Sequence, residues 1–141
     1  MTEKKACRGY VSSRPIGPDR TAQHVQNLVI RNFAETNGFL FKLRATESQM
    51  PGCHLMLNQV MDELDVIDGV ILYSMFMLPE DADKRMSIYT RVLDTGSSLH
   101  GALENISFNS DEDIRLWENI YDTKQITSGL NYDEIVKHLV S

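Results

Sequence analysis

The sequence has little of what metal-stabilised and disulfide-rich folds require. Only two cysteines occur, Cys7 and Cys53, and they do not form a CxxC pair. A zinc site or a disulfide framework is therefore not expected. The four histidines are far apart and share no metal-ligand spacing, at His24, His54, His100 and His138. We expect neither a metal nor a cofactor.

Long apolar runs and an excess of basic residues are also missing. No run approaches the length of about 18 apolar residues that a membrane helix needs, and residues 1–5 lead into a strand-like segment without a signal-peptide core. We expect a cytoplasmic protein without membrane insertion. There are 14 basic residues against 20 acidic ones. Because Lys and Arg supply most of the affinity for phosphate backbones, this balance argues against a nucleic-acid partner.

What is present suits one globular domain. The 141 residues are close to the commonest domain size, and 42% of them are hydrophobic, enough to build a core. We therefore expect a single α/β domain over residues 1–141. Residues 1–31 hold six basic side chains against two acidic ones, whereas eight acidic and three basic residues follow from position 101. This asymmetry suits an anionic ligand near the first strand, although a scattered solvated surface is also consistent with it.

Hydrophobic periodicity predicts strands and helices in alternation. Four strands are expected, over Ala6–Ser12, Phe39–Leu43, Val70–Phe76 and within Leu99–Phe108. The order of elements predicts a three-layer α/β/α sandwich with a mainly parallel four-stranded sheet, strand order 2-1-3-4, and additional C-terminal helices. Because the run from Val70 has no polar alternation before Tyr73, it is expected at the centre of the sheet.

The helices are predicted from apolar stripes and caps. The first stripe contains Ala22, Val25, Val29 and Phe33, with Leu28 beside it. The second helix presents four apolar residues, namely Leu57, Val60, Met61 and Leu64. A third helix opens at Pro79, a fourth follows Ser110, and a short last one is capped by Asn131.

In an open parallel sheet, ligands bind beyond the carboxyl ends of the strands, where the strand order reverses. The polar residues that follow or end the four strands are Ser12, Ser13, Arg14, Arg44, Thr46, Glu47, Tyr73, Ser74 and Glu104. Arg14 and Arg44 are expected to bind an anionic group, with Ser74 and Glu104 also contacting the ligand. Ser12 or Ser13 would act as a nucleophile or hydroxyl contact, and Glu47 or Tyr73 would transfer protons.

Structural roles explain the same residues about equally well. Arg14 and Ser13 would also satisfy turn amides and a nearby carboxylate, and Arg44 would form an ion pair with Glu47. Tyr73 is also a common type of core residue. There is no GxGxxG motif and no Walker loop, so a dinucleotide or triphosphate site lacks its motif.

Four sequence blocks resemble the sporadic carbohydrate cluster proteins, which bacterial gene clusters for surface sugars encode. The blocks are Gly9–Arg14 (GYVSSR), Gln23–Asn27 (QHVQN) with Ile30-Arg31, Ala45–Glu47 (ATE) and Tyr73–Pro79 (YSMFMLP). The resemblance implies a role in lipopolysaccharide or other surface-polysaccharide biosynthesis, and no particular reaction. A small anionic sugar or sugar nucleotide is the ligand that it implies.

A more distant resemblance is to the catalytic domain of serine recombinases. In that family a strand ending in a Tyr-x-Arg-x-Ser pattern precedes a helix that contains a Gln, and Tyr10 and Gln26 fit this layout. The resemblance adds Gln26 to the expected ligand-binding residues. Ser12 stands where the arginine is expected, and Met75 to Pro79 replace the Asp-Arg-Leu-x-x-Arg signature. Because these guanidiniums would stabilise phosphodiester charge, their absence argues against DNA cleavage.

The leading hypothesis is thus an accessory protein of surface-polysaccharide assembly that acts on an activated anionic sugar. The sequence does not decide whether it is an enzyme. The alternative is a non-catalytic scaffold or binding protein that partners a glycosyltransferase. A homo-oligomer is compatible with both hypotheses.

Overall fold

The computed structural model describes residues 5–12, 22–47 and 54–128, the side chains of 43, 44, 47 and 124–128 excepted. The strands are β1 (Ala6–Ser12), β2 (Leu40–Glu47), β3 (Gly69–Leu72), β4 (Ser98–Gly101) and β5 (Ile106–Phe108). The helices are α1 (Gln23–Thr36), α2 (Leu55–Asp62), α3 (Ala82–Asp94) and α4 (Asp111–Ser128). A 3-10 turn over Met75–Met77 follows β3. The predicted helix at Asn131 lies outside the described residues.

The described strands form one mixed sheet in the order β2-β1-β3-β4-β5. The pairs β1–β2, β1–β3 and β3–β4 are parallel, and β4–β5 is antiparallel. The α/β class and the order of the four parallel strands are as predicted. The four-stranded, mainly parallel sheet is corrected to a five-stranded mixed one.

The correction arises within the single strand that was expected inside Leu99–Phe108. This run folds as a hairpin, in which Leu99 pairs with Phe108, and the turn contains Asn105 at φ 56°. Asparagine adopts this left-handed conformation more readily than most residues. The chain therefore reverses direction here and adds an antiparallel strand.

The helices cover both faces of the sheet. Phe108 of β5 packs against Tyr89 of α3 and Trp117 of α4, with ring centroids 4.8 and 5.7 Å apart. His100 of β4 points to the opposite face, because its strand partner directly precedes Phe108. There it packs against Phe33 of α1 at 5.4 Å. The layers are thus α1, the sheet, and then α3 with α4.

Burial agrees with most of the predicted core. All four residues of β3 are buried, as expected for a central strand covered on both faces. Leu57, Val60, Met61 and Leu64 are buried as well. Tyr73 and the residues after it, however, lie beyond β3, which ends at Leu72.

The predicted stripe of α1 is wrong in part. Val25 is 39% exposed and Leu28 is 61% exposed, whereas the buried residues of this helix are Gln26, Ile30, Phe33 and Ala34. The buried stripe thus begins with a polar residue, Gln26, because its side chain forms hydrogen bonds with the backbone of Ser12 in β1.

Candidate functional site

The carboxyl ends of the parallel strands lie together along one edge of the sheet. We call this the exit edge, and it is marked by the last residues of β1 to β4, namely Ser12, Glu47, Leu72 and Gly101. The chain crosses from β1 to β2 on one side and from β3 to β4 on the other. The strand order therefore reverses between β1 and β3, the position at which open α/β sheets bind ligands.

Gln26 fixes the end of β1. The backbone N–H of Ser12 donates to Gln26 Oε1 at 3.0 Å, and Gln26 Nε2 donates to the Ser12 carbonyl at 2.9 Å. A primary amide carries a carbonyl acceptor and an NH2 donor group, so it can bond both the N–H and the carbonyl of one residue. Ser12 is 2% exposed and Gln26 is fully buried. These contacts make Gln26 a positioning residue, and its predicted contact with a ligand stays a prediction.

Ser74 and Glu104, both predicted to bind ligand, lie in contact. The Ser74 hydroxyl donates to Glu104 Oε2 at 2.7 Å, and the backbone N–H of Met75 donates to Glu104 Oε1 at 2.8 Å. Ser74 Oγ also accepts from the Phe76 N–H at 3.2 Å, which caps the 3-10 turn. The carboxylate therefore connects the β4–β5 turn to the exit of β3.

Gly101 makes room for this carboxylate. A Cβ at position 101 would lie 2.7 Å from Glu104 Oε1 and 3.3 Å from the Met75 nitrogen. A larger residue would displace the carboxylate, so glycine is required here by the close approach and not by a special backbone angle.

Tyr73 lies between β1 and the β4–β5 turn. Its backbone N–H donates to the Tyr10 carbonyl at 3.1 Å, and its carbonyl accepts from the Leu103 N–H at 2.9 Å. The residue is only 6% exposed. This burial supports the core role that was weighed for Tyr73, and its predicted part in proton transfer stays a prediction.

The β2 strand contains a bulge at Leu43 and Arg44. Arg8 pairs with Lys42 and Tyr10 with Ala45, so two residues of β2 lie opposite the one residue between Arg8 and Tyr10. Such bulges disrupt the backbone ladder locally. The strand continues to Glu47, so Arg44 lies inside it and not beyond its predicted end at Leu43.

The exits of β1 and β2 are adjacent, because Ser12 pairs with Glu47. The side chains of Arg44 and Glu47 lie outside the described set, as do Ser13 and Arg14 altogether. Their predicted roles, and the alternative ion pair between Arg44 and Glu47, stay predictions.

Arg85, which sequence analysis did not consider, holds the loop that follows the 3-10 turn. It is 3% exposed, and its Nη1 donates to the carbonyls of Pro79 and Glu80 at 3.1 and 2.7 Å. Its Nε and Nη2 donate to both carboxylate oxygens of Glu118 on α4, at 2.9 and 3.0 Å. The guanidinium also lies 3.9 Å from the ring centroid of Tyr121. The β3–α3 loop is thus connected to α4.

The electrostatics of this cluster follow from its contacts. Burial acts to raise the pKa of the Glu118 carboxyl, but hydrogen bonds from Arg85 and Tyr89 outweigh it and hold that pKa below its usual value. Burial, followed by the bond to Glu118, raises the pKa of the Tyr89 phenol. The group is therefore a charged pair with a neutral tyrosine, fixed in one arrangement. Sequence could have indicated Arg85 only through its helical spacing with Ile88 and Tyr89.

Asn27 is a second residue that sequence analysis passed over. Its Oδ1 is shielded from solvent and has no hydrogen-bond partner among the described residues. A buried acceptor without a donor costs about 1–3 kcal/mol, so such atoms are rare in native proteins. Asn27 is the last residue of the QHVQN block, which gave it no role of its own.

A shallow groove of about 290 Å³ lies elsewhere, between the ends of α2 and α3. Asp62, Asp65, Asp94 and Arg91 line it, and Arg91 forms an ion pair with Asp62. Because both helices run antiparallel to the strands, their C-termini lie at the edge opposite the exit edge. This groove is therefore separate from the candidate site.

Within the described residues, no three His, Cys, Asp or Glu side chains are grouped as metal ligands. No helix of the described part of the chain has both the length and the apolarity to cross a membrane.

Solved structures with the same fold exist. The chain is similar to a resolvase family site-specific recombinase from Streptococcus pneumoniae, with a TM-score of 0.66 and 14% identity over 88% of this chain and 90% of that one. It is also similar to the N-terminal catalytic domain of TP901-1 integrase, with a TM-score of 0.65 and 15% identity over 91% and 100%. The chain therefore shares its fold with serine recombinase catalytic domains.

Neither known family models nor curated proteins match the sequence. The resemblance to sporadic carbohydrate cluster proteins therefore depends on its sequence blocks alone, whereas the resemblance in fold to serine recombinases is confirmed. At 14 and 15% identity this likeness concerns the fold and not the activity.

Proposed function

We propose that the protein binds an activated, anionic sugar at the exit edge and serves as an accessory protein of bacterial surface-polysaccharide assembly. Arg14 and Arg44 bind the anionic group in this proposal. Arginine suits the task because its planar fork of donors matches phosphate and carboxylate oxygens.

The observation that carries the proposal is the pairing of Ser12 with Glu47, together with the double hydrogen bond from Gln26 to Ser12. The pairing of Ser12 with Glu47 holds the ends of β1 and β2 side by side. The hydrogen bonds from Gln26 fix the backbone of Ser12, the residue that precedes Ser13 and Arg14. A rigid exit reduces the entropy that a binding loop loses when it contacts a ligand.

Binding has more support than catalysis. Of the four residues predicted to be catalytic, Ser12 is 2% exposed and Tyr73 is 6% exposed. A catalytic role therefore depends on Ser13 and Glu47, the two remaining candidates for nucleophile and base.

DNA transactions have less support, despite the shared fold. The chain has 14 basic residues against 20 acidic ones. It also has Ser12 in place of the arginine in the Tyr-x-Arg-x-Ser pattern. Both features weaken binding to a phosphodiester backbone.

The test is calorimetric titration of the full chain with UDP-glucose, UDP-glucuronate and GDP-mannose. Wild type is expected to bind at least one of them, and Arg14→Ala to bind it about tenfold more weakly, because a charge-assisted contact is lost. Arg115→Ala is the matched control, since Arg115 is exposed on α4. Absence of binding by wild type, or equal binding by Arg14→Ala, would contradict the proposal.

A scaffold that partners a glycosyltransferase is the second candidate, and one observation favours it. Val25 and Leu28 lie one turn apart on α1 and are 39% and 61% exposed. Apolar residues at this spacing form one side of a helix, as in helix-mediated interfaces. Co-purification from the native host with wild type but not with Leu28→Glu, in the absence of any nucleotide-sugar binding, would support this candidate instead.

A further inference from the structure

Asn27 carries the buried acceptor Oδ1, which has no partner within the described part of the chain. The adjacent Gln26 differs, because both ends of its amide bond the Ser12 backbone. Most buried side-chain oxygens in native proteins have a donor. An unpartnered one beside a candidate site can therefore accept a hydrogen bond from a donor outside the fold.

The position of Asn27 is set by its neighbours on α1. Gln26 bonds the last residue of β1, so this turn of the helix lies at the exit edge. Arg31 lies one turn further along the same side of α1, with its guanidinium 5.2 Å from the ring centroid of Phe41 on β2. Asn27 is thus on the side of α1 toward β2, one turn nearer the exit edge than Arg31. That half of β2 follows the bulge at Leu43 and Arg44.

We propose that Asn27 Oδ1 accepts a hydrogen bond from a hydroxyl of the bound sugar, which makes Asn27 a specificity-determining residue. This inference rests on the proposed function. A carbonyl oxygen accepts and does not donate, so it cannot bind phosphate or carboxylate oxygens. The proposed function assigns the anionic group of the ligand to Arg14 and Arg44, and the present inference assigns a hydroxyl of the sugar ring to Asn27.

The same contact predicts discrimination between sugars. A ligand with a hydroxyl at the right position donates to the buried acceptor. An analogue without that hydroxyl leaves the acceptor without a donor. Sites built in this way reject the analogue more strongly than apolar pockets reject a missing methylene. One hydroxyl of the sugar should thus matter far more than the others.

The protein arm of the test compares Asn27→Leu with Asn32→Leu, in which the matched asparagine is exposed on the same helix. Leucine has the same number and branching of side-chain heavy atoms as asparagine, and it has no acceptor. We expect Asn27→Leu to bind UDP-glucose, UDP-glucuronate or GDP-mannose at least about tenfold more weakly than wild type, with an equal or higher melting temperature. Asn32→Leu should bind as wild type does.

The ligand arm begins with wild type alone, so its first measurement does not depend on the folding of a variant. Among the monodeoxy analogues of the nucleotide sugar that binds, we expect one to bind wild type about tenfold more weakly than its parent. Asn27→Leu should bind that analogue and its parent equally. Together the two arms form a cycle that isolates the contact between Asn27 and one hydroxyl.

The outcomes separate this inference from the proposed function. If wild type binds and Arg14→Ala weakens binding, but Asn27→Leu and all deoxy analogues bind normally, only the inference is overturned. If wild type binds none of the three nucleotide sugars, both are overturned. A melting temperature of Asn27→Leu well below that of wild type would assign the Asn27 amide to the fold, through an ordered water, and would overturn the inference.

Discussion

The hydroxyl of Ser74 donates a 2.7 Å hydrogen bond to the carboxylate of Glu104, which lies 30 residues further along the chain. The second carboxylate oxygen accepts from the Met75 N–H at 2.8 Å. Both bonds are charge-assisted and are therefore stronger than bonds between neutral groups. One side chain of the β4–β5 turn thus determines how the chain leaves β3 at the exit edge.

We predict that Glu104→Ala lowers the free energy of unfolding by about 1–3 kcal/mol, because the Ser74 hydroxyl and the Met75 N–H lose their acceptor. Urea denaturation measures the change. Glu112→Ala, which removes an exposed carboxylate of α4, is the control and should change stability by less than about 0.5 kcal/mol. Equal stability of the two variants would show that the Glu104 bonds contribute nothing net.

Gly101→Ala should destabilise the protein through the same carboxylate. The new Cβ would lie 2.7 Å from Glu104 Oε1, so the carboxylate must move and its two bonds weaken. We therefore expect Gly101→Ala to cost less in the Glu104→Ala background than in wild type, with a coupling of about 1 kcal/mol between the two changes. A double-mutant cycle in urea measures this coupling, and strict additivity would contradict the explanation.

Much of the fold was predictable from local patterns. The apolar run of Val70 to Leu72 identified the central strand, and the alternation of elements gave the order of the four parallel strands. The hairpin that adds β5 was missed. Its turn depends on one left-handed residue, Asn105, inside a run whose apolar content suggested continuity.

The site was predictable as a set of residues but not as a set of contacts. Ser74 and Glu104 were both expected at the exit edge, yet only the folded chain brings together two residues 30 positions apart. Gln26 was expected to bind ligand, and its place in the buried stripe of α1 contradicts the polar character of its side chain. It is explained by the Ser12 backbone, a partner that no periodicity analysis includes.

Gln26 should be essential for the exit of β1. We predict that Gln26→Ala lowers the free energy of unfolding by about 2 kcal/mol, since the buried N–H and carbonyl of Ser12 lose their partners. Gln26→Glu should be destabilising as well, because an ionised carboxylate cannot donate to the Ser12 carbonyl. Chemical denaturation measures both changes, with the exposed Gln59→Ala of α2 as the control. Stability of Gln26→Glu equal to that of wild type would argue against the double hydrogen bond.

Arg85 and Arg91 allow a comparison of a buried and an exposed ion pair on one helix. The side chains of Arg85 and Glu118 are 4% and 20% exposed, whereas those of Arg91 and Asp62 are 35% and 75% exposed. Arg85→Met should cost about 3–5 kcal/mol, because Glu118 loses its counter-ion and the two loop carbonyls lose their donor. Arg91→Met should cost less than about 1 kcal/mol. Thermal and urea unfolding measure both, and similar losses for the two variants would contradict the assigned burial.

His100 should make the fold sensitive to acid. Burial, with a smaller contribution from Lys5, lowers the pKa of His100 from 6.5 to about 4, and its ring nitrogens lie 2.8 Å from the hydroxyls of Ser98 and Ser107. In the unfolded chain His100 is therefore protonated below about pH 6.5, whereas in the folded chain it stays neutral down to about pH 4. Because the unfolded state binds more protons in this window, stability must fall as the pH decreases through it.

The free energy of unfolding is expected to decrease by roughly 3 kcal/mol between pH 6.5 and pH 4. Urea midpoints measured across this window should fall steadily for wild type and for His24→Gln, which replaces an exposed histidine of α1. His100→Gln should be less stable at neutral pH, but its stability should depend much less on pH, since the group that titrates is gone. If His100→Gln keeps the full pH dependence of wild type, other groups cause it, and the histidine is not held neutral by burial.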